Sequence, residues 1–362
     1  MKSISLIFVF CLVFYFSYSQ QANQKTSFSA LMFGDYFYNV QRDSLATSLN
    51  FASLNDAKNI NGFRYRRIYL TYDYPFDQRI STKITLESDQ EANTSNGKFG
   101  FFVKDAYIKW DSSFFKSSLI VGIQSPPTYL YSEKWWAHRF LEKTINNLRK
   151  TEESKDFGLS LNGNIFTNRW FYHVMVGNNS GNKTEIDRFK SIYSLIGYKP
   201  NNHFLFTLSY SHHFQIRTLD FYDTSSTIQL LNKDISLLNF FVGYQIKDKL
   251  YFGLEAFYER FNHAFNSGSS LDNYDSYGTC FFVNYKLNNT FSFTGRIDYY
   301  EPNHHILATH DYRIFSLLAT NVQVYKSIII SPNIIAEFYE KQSNGTKIKP
   351  SITPRITFYW KY

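Results

Sequence analysis

The chain has 362 residues, 44% of them hydrophobic and 19% charged, with 38 Lys and Arg against 30 Asp and Glu for a formal net charge of +8. Two cysteines exclude a fold stapled by several disulfides, and a mean hydropathy of −0.33 with no apolar run of roughly 20 residues beyond the N-terminal segment excludes a bundle of membrane-spanning helices. The basic balance suits anionic ligands or an anionic membrane surface without choosing between them, and an aromatic fraction of 20% exceeds what a soluble core needs.

Residues 1–19, MKSISLIFVFCLVFYFSYS, carry a charged Lys2, an apolar run from Ile4 to Phe16 and small residues at Ser17 and Ser19. They read as a secretory signal peptide cut before Gln20, since the run is shorter than the ~18 residues of a spanning helix. Residues 20–362 are expected to form one domain with Cys280 as its sole cysteine.

The remaining chain alternates apolar and polar residues in short stretches broken by Asn, Asp, Gly, Ser and Pro. Period two marks strands, because successive side chains of an extended chain face opposite ways. About sixteen strands are expected, starting near Phe28, Gly62, Gln78, Phe101, Ser117, Phe157, Arg169, Phe189, His203, Ile235, Leu250, Tyr274, Thr290, Asp311, Ile328 and Ile352. Their connections fall into two sets. Short ones, such as YPFDQ at Tyr74 to Gln78, KPNN at Lys199 to Asn202 and LNN at Leu287 to Asn289, alternate with long ones, such as Gln41 to Asn61, Gln124 to Asp156, Phe214 to Asp234 and His263 to Asn273. A soluble sandwich has no reason to sort its connections by side, whereas outer-membrane barrels pair tight periplasmic turns with long outer loops. The fold class expected is therefore an all-β transmembrane antiparallel barrel in the bacterial outer membrane, its outer face wetted by lipid. Faces assigned to lipid include Ile80, Thr82, Ile84 and Leu86; Ala106, Ile108 and Trp110; Phe204 to Tyr210 on alternate positions; and Leu250 to Tyr258 likewise, with Trp110, Tyr210 and Tyr258 at the interfaces.

The third long connection, Gln124 to Asp156, holds Trp135, Trp136, Phe140, Leu141, Ile145 and Leu148, which need a surface to bury against. The inside of the barrel supplies one, and Tyr131 to Lys150 is the segment expected to carry a helix. The run VGIQSPPTYLYSEKWWAHRFLEKT, followed by DFGLSLNG at Asp156 to Gly163 and preceded by FRYRRIYL at Phe63 to Leu70 and DAYIKW at Asp105 to Trp110, resembles the phosphate-selective porin O and P family. The resemblance implies a barrel of 16 strands, commonly a homotrimer, whose third outer loop folds inward to constrict a passive water-filled pore for small hydrophilic or anionic solutes. It also implies arginines and lysines along the passage.

Selectivity in such a pore comes from fixed charges near a narrow passage. On the loop, Lys134, Arg139, Lys143, Arg149, Lys150 and Lys155 face Glu133, Glu142, Glu152, Glu153 and Asp156, so its charge is nearly balanced. On the wall, Arg67, Lys83, Lys109, Arg296, Arg355 and Lys361 share the lumen face with Glu87, Asp105, Glu255, Glu259 and Asp298. Arg64 and Arg66 have the parity of Ile68 and Leu70, which places them at the outer rim or a subunit contact. The candidate constriction residues are Arg67, Lys83, Lys109, Lys134, Arg139, Lys143, Arg296 and Arg355.

Other functions find less support. Ser211 with His212 or His213 is the one adjacent pair suggestive of a nucleophile and base, and no carboxylate to orient the histidine is identifiable from the sequence. No Cys pair, Gly-rich phosphate loop or zinc-ligand spacing points to a cofactor, a metal or nucleic acid. An outer-membrane barrel serving adhesion or secretion is the competing reading. The chain finishes in ITPRITFYWKY, with Ile352, Ile356, Phe358, Trp360 and Tyr362 on the lipid face and Arg355 and Lys361 on the other. This last strand is expected to close against the first, and its terminal aromatic resembles the signal read by the outer-membrane assembly machinery.

Overall fold

A computed structural model describes residues 26–48, 57–91, 94–114, 117–165, 168–220, 222, 230–246, 249–308, 311–342 and 344–362. The expected signal peptide lies outside these residues. The alternating stretches form β1 (Ser27–Tyr38), β2 (Asn61–Pro75), β3 (Ile80–Asp89), β4 (Phe102–Phe114), β5 (Ser117–Gln124), β6 (Asp156–Ile165), β7 (Trp170–Gly177), β8 (Ser191–Tyr198) and β9 (Phe204–His213). After a two-residue ribbon of β10 (Thr218–Leu219) and β11 (Leu230–Leu231) come β12 (Ile235–Ile246), β13 (Leu250–Asn266) and β14 (Leu271–Lys286). The last four are β15 (Phe291–Glu301), β16 (Arg313–Tyr325), β17 (Ile328–Tyr339) and β18 (Ser351–Lys361). Apart from the ribbon, the sixteen strands form one closed antiparallel barrel, with β1 paired to β18 through Phe33 opposite Tyr359 and Tyr36 opposite Ile356. Closure leaves the barrel without a free edge, as strands in hydrocarbon require.

Alternation sorts the two faces as the sequence implies. Ile84, Ile108, Leu208, Leu254 and Ile356 point outward and are 43%, 55%, 45%, 45% and 50% exposed. Their inward neighbours Thr85, Thr207, Glu255 and Arg355 are buried. Trp110, Trp170, Tyr285 and Trp360 stand outward near the short turns, with Tyr210 and Tyr258 outward near the long loops. An apolar belt between two aromatic girdles is the surface a bilayer covers.

Two expectations need correction. The connection placed at His263 to Asn273 is mostly strand: β13 and β14 continue as a hairpin to a turn at Ser267 to Ser270, across a bulge between Phe261 and Phe265. Its polar residues resemble a loop because this part of the hairpin has left the apolar belt. Arg64 and Arg66 face the lumen and not the outer rim. Phe33 pairs with Arg67 but Gly34 pairs with Tyr65, so Arg66 is an extra residue and the parity of everything before it is inverted. A β-bulge has this effect, and it brings Arg64 opposite the buried Asp35. A second bulge between Thr85 and Leu86 makes Lys104 the extra residue on β4, beside the inward Asp105.

Gly122 on β5 has φ +130, and a Cβ there would lie 2.2 Å from the Ala106 carbonyl oxygen. Gly122→Ala is expected to cost about 1–3 kcal/mol, from strain in a region L-residues avoid. Urea unfolding of protein refolded in detergent checks this, and an unchanged midpoint would show that β4 and β5 yield at that point.

Candidate functional site

The connection from β5 to β6 turns into the barrel. It carries α2 (Leu130–Trp136) and α3 (Ile145–Arg149) in place of the single helix expected between Tyr131 and Lys150. Ala137 interrupts at φ 55, with its N–H donating to the Glu133 carbonyl, which is a left-handed helix stop. Trp136 and Ile145 pack into an inner cluster with Phe171, Leu195, Leu237, Phe241, Phe257, Cys280 and Phe282. Phe140 and Leu141 enter a second cluster with Phe33, Phe315, Leu317 and Ile335. These four anchors are at most 5% exposed, and burying such a side chain contributes roughly 1.5–3 kcal/mol.

A loop inside a barrel must also satisfy its peptide groups away from bulk water. Three wall arginines do so. Arg66 donates to the carbonyls of Phe140 and Leu141, Arg355 Nη2 to Leu141 O at 2.9 Å, and Arg296 to Lys143 O. Each is charge-balanced: Arg66 Nε lies 2.8 Å from Asp35, Arg355 lies 3.7 Å from Glu142, and Arg296 Nε lies 2.8 Å from Asp298. Burial opposes ionisation of Glu142, but Arg355 and Arg66 more than offset it and hold the carboxyl below its ordinary pKa. Further along, Arg149 meets Glu337 at 2.8 Å, Ser132 meets Glu255 at 2.6 Å, and Asn146 donates to Asn239 and Glu255, each at 2.9 Å.

These contacts seat the loop against β7 to β9, β12 to β18, β1 and β2. The inner residues of β3 and β4 nearest the short turns stay open, with the Lys83 and Lys109 side chains each 34% exposed. Most cations on this open side are paired: Arg67 with Glu87 at 2.7 Å and with Asp89, Lys104 with Glu87, Lys155 with Asp105, Lys109 with Asp111 at 2.8 Å, and Arg139 with Glu133 at 2.8 Å. Lys83 approaches Asp73 only to 3.9 Å. Lys134 and Lys143 make no ion pair among the described residues. Burial, then Lys199 and Lys83, lower the Lys134 pKa; burial, then Arg67, lower that of Lys143.

Of the eight residues singled out from the sequence, Arg67, Lys83 and Lys109 on the wall and Lys134, Arg139 and Lys143 on the loop gather around the open side. Arg296 and Arg355 do not. They face the lumen as their parity implies, yet both are 4% exposed and lie under the loop they hold. The sequence reading missed Arg66 and Asp35 as loop clamps and Lys104 as a lumen cation. A dense arginine run was visible, but the bulges that aim Arg66 and Lys104 inward were not. It also missed a partner for His213. Ser211 Oγ and His213 Nε2 lie 2.8 and 3.1 Å from Glu152, and Ser191 Oγ lies 2.7 Å from His213 Nδ1. Both serines are fully buried, so the cluster ties the end of the loop to β8 and β9.

No family model and no curated protein matches the sequence. The fold, however, is that of bacterial outer-membrane porins. The outer membrane channel DcaP of Acinetobacter baumannii superposes with a TM-score of 0.64 at 10% identity, covering 95% of this chain and 99% of that one. An anion-selective porin from Comamonas acidovorans gives 0.63 at 8% identity, covering 93% and 99%. The trimer form of OmpT, an outer membrane protein of Vibrio cholerae, gives 0.61 at 9% identity, covering 93% and 99%. The chain thus has the porin barrel fold at nearly full length, whereas the resemblance to the phosphate-selective family rests on the short motifs alone.

Replacing Arg66 and Arg355 together by alanine leaves the loop carbonyls undonated and Asp35 and Glu142 without their nearest cations. Breaking one such buried pair costs about 3–5 kcal/mol. The loop is expected to detach while the barrel persists, so that trypsin cuts at Lys143 and Lys150 in the folded variant and not in the parent. Equal protection of both proteins would contradict the clamp.

Proposed function

We propose that the protein is a passive outer-membrane diffusion channel for small hydrophilic solutes that prefers anions, phosphate among them, and works as a homotrimer without a cofactor. The observation that carries this reading is the pair of lysines on the loop, Lys134 and Lys143, which have no carboxylate partner among the described residues. They stand opposite Lys83, Lys109 and Arg67 on the open wall. Most other cations of the open side lie against carboxylates, so these two weight the field that an entering ion meets toward positive. The anion-selective porin and the trimer form among the compared folds support the same reading by analogy of fold alone.

Two unpaired ammonium groups attract an anion and repel a cation without binding either tightly, which suits flux down a gradient. At about 6 Å in water-like surroundings one charge is worth ~0.7 kcal/mol, roughly threefold in occupancy. The paired residues act differently: Arg67 and Lys104, held by Glu87, fix the shape of the wall.

Reversal potentials in asymmetric KCl across a planar bilayer test the proposal. The parent is expected to prefer chloride, Lys134→Ala and Lys143→Ala each to lower the anion-to-cation ratio by about threefold, and Lys134→Glu with Lys143→Glu to reverse it. The folded protein holds these lysines below the ordinary pKa of 10.5, so their charge is lost as pH rises. Anion preference should therefore fade at a lower alkaline pH than an ordinary lysine would give. Absence of any open-channel current would overturn the channel and favour adhesion or secretion; cation preference in the parent would overturn the charge argument.

A further inference from the structure

On the outer surface of the barrel, β14 to β17 leave a shallow groove of about 460 Å³ that opens toward the membrane. It crosses one row of paired outward residues, Val283, Gly295, Leu318 and Ile334, and Phe293 and Pro332 border it toward the short turns. Gly295 is the low point, and Leu318 and Phe293 stand beside it, 64% and 43% exposed. A Cβ at Gly295 would meet only Val283 Cγ1 at 3.5 Å and Leu318 Cδ2 at 3.6 Å. Those are ordinary contacts, so the wall has room for a side chain at the point where it carries none.

The groove lies in the half of the apolar belt nearest the short turns, and these turns are basic. The two that join its four strands carry Lys286 and Lys326 and contain no Asp or Glu. They adjoin, since the Gln323 N–H donates to the Thr290 carbonyl at 2.8 Å. The Lys286 N–H donates to the Lys249 carbonyl at 2.7 Å, which brings the lysine of the β12–β13 turn alongside. Asp248 of that turn lies outside the described residues. Lys249, Lys286 and Lys326 are all exposed and make no ion pair among the described residues. Tyr285 and Tyr325 precede two of them and are exposed as well, as rings at the edge of hydrocarbon are.

We propose that this face holds one anionic glycerophospholipid of the leaflet on the short-turn side, an acyl chain lying along the groove and the headgroup phosphate resting between Lys286 and Lys326. The two observations are independent and meet in one ligand. The hollow asks for a flexible apolar chain, and the unpaired cations at its end ask for an anion at headgroup depth, a combination that a lipid supplies in one molecule. Lysine stems reach along apolar surface while the ammonium stays at the polar level, which lets both turns serve one phosphate. The lysines also discriminate among lipids. A zwitterionic headgroup brings its own ammonium to the site and gains less from the field of the rim than a headgroup of net negative charge.

The test is native mass spectrometry of the refolded full chain titrated with dioleoyl-phosphatidylglycerol or dioleoyl-phosphatidylcholine. Saturable retention of one phosphatidylglycerol per chain is expected, about tenfold tighter than phosphatidylcholine. Lys286→Ala and Lys326→Ala should each weaken it about fivefold and leave phosphatidylcholine unchanged, whereas Gly295→Leu, which fills the groove, should weaken both lipids. Equal affinity for the two lipids in the parent, or undiminished phosphatidylglycerol affinity in the double lysine variant, would overturn the proposal. Lipid retention left intact by Gly295→Leu would overturn it too, and loss of an oligomer in that variant would then assign the groove to a second copy of the chain. If Gly295→Leu does not refold, the lysine variants, at exposed turn positions, decide alone. Lipid retention needs no ion current, so a negative result here leaves the channel reading standing.

Discussion

Folding a peptide segment into the middle of a barrel places its carbonyl groups where bulk water cannot serve them, and the interior of this protein is arranged around that requirement. Arg66, Arg355 and Arg296 donate to the carbonyls of Phe140, Leu141 and Lys143. Three guanidinium groups then need counter-charges in the same dry region, which Asp35, Glu142 and Asp298 supply. The apolar side chains of the loop fill the spaces between these pairs. The outcome is a lumen divided in two: a closed side packed like a domain core, and an open side lined with charges.

Strand geometry makes this division possible. A regular β2 would send alternate members of its arginine run to lipid. The bulge at Arg66 turns Arg64 inward as well, so that all three arginines serve the interior. The bulge at Lys104 does the same on β4, where Lys104 joins Arg67 on Glu87. Bulges bend a strand and re-aim side chains at the cost of one ladder pair. Both of these lie on the strands that flank the open side.

Much of the architecture was legible because lipid demands a strict period. Ile84, Ile108, Leu208 and Leu254 fall outward as read, and the loop anchors Trp136, Phe140, Leu141 and Ile145 bury inside as their composition requires. What could not be read is pairing between segments far apart in the chain. By composition the loop looks nearly neutral, but its charges are not spent evenly. Glu133 goes to Arg139, Glu142 to Arg355 and Glu152 to His213, so that Lys134 and Lys143, although they feel Glu133 and Glu142, form no ion pair among the described residues. Likewise Arg296 and Arg355 have the right parity for a pore wall, yet the loop covers them, and no local pattern says which part of a wall a loop will cover. The position of a bulge is equally silent in sequence, which is why Arg64 and Arg66 read as outward.

The division of the lumen is the claim on which the rest stands, and thiol accessibility measures it directly. In a background with the buried Cys280 replaced by alanine, Lys109→Cys places a thiol on the open side and Asn239→Cys places one beneath the loop, where Asn239 is 1% exposed. An anionic methanethiosulfonate reagent is expected to react with the first and lower the single-channel current in discrete steps, and to leave the second unmodified. Equal reaction at both positions would contradict the account, since it would mean that the loop does not seal the side it is packed against.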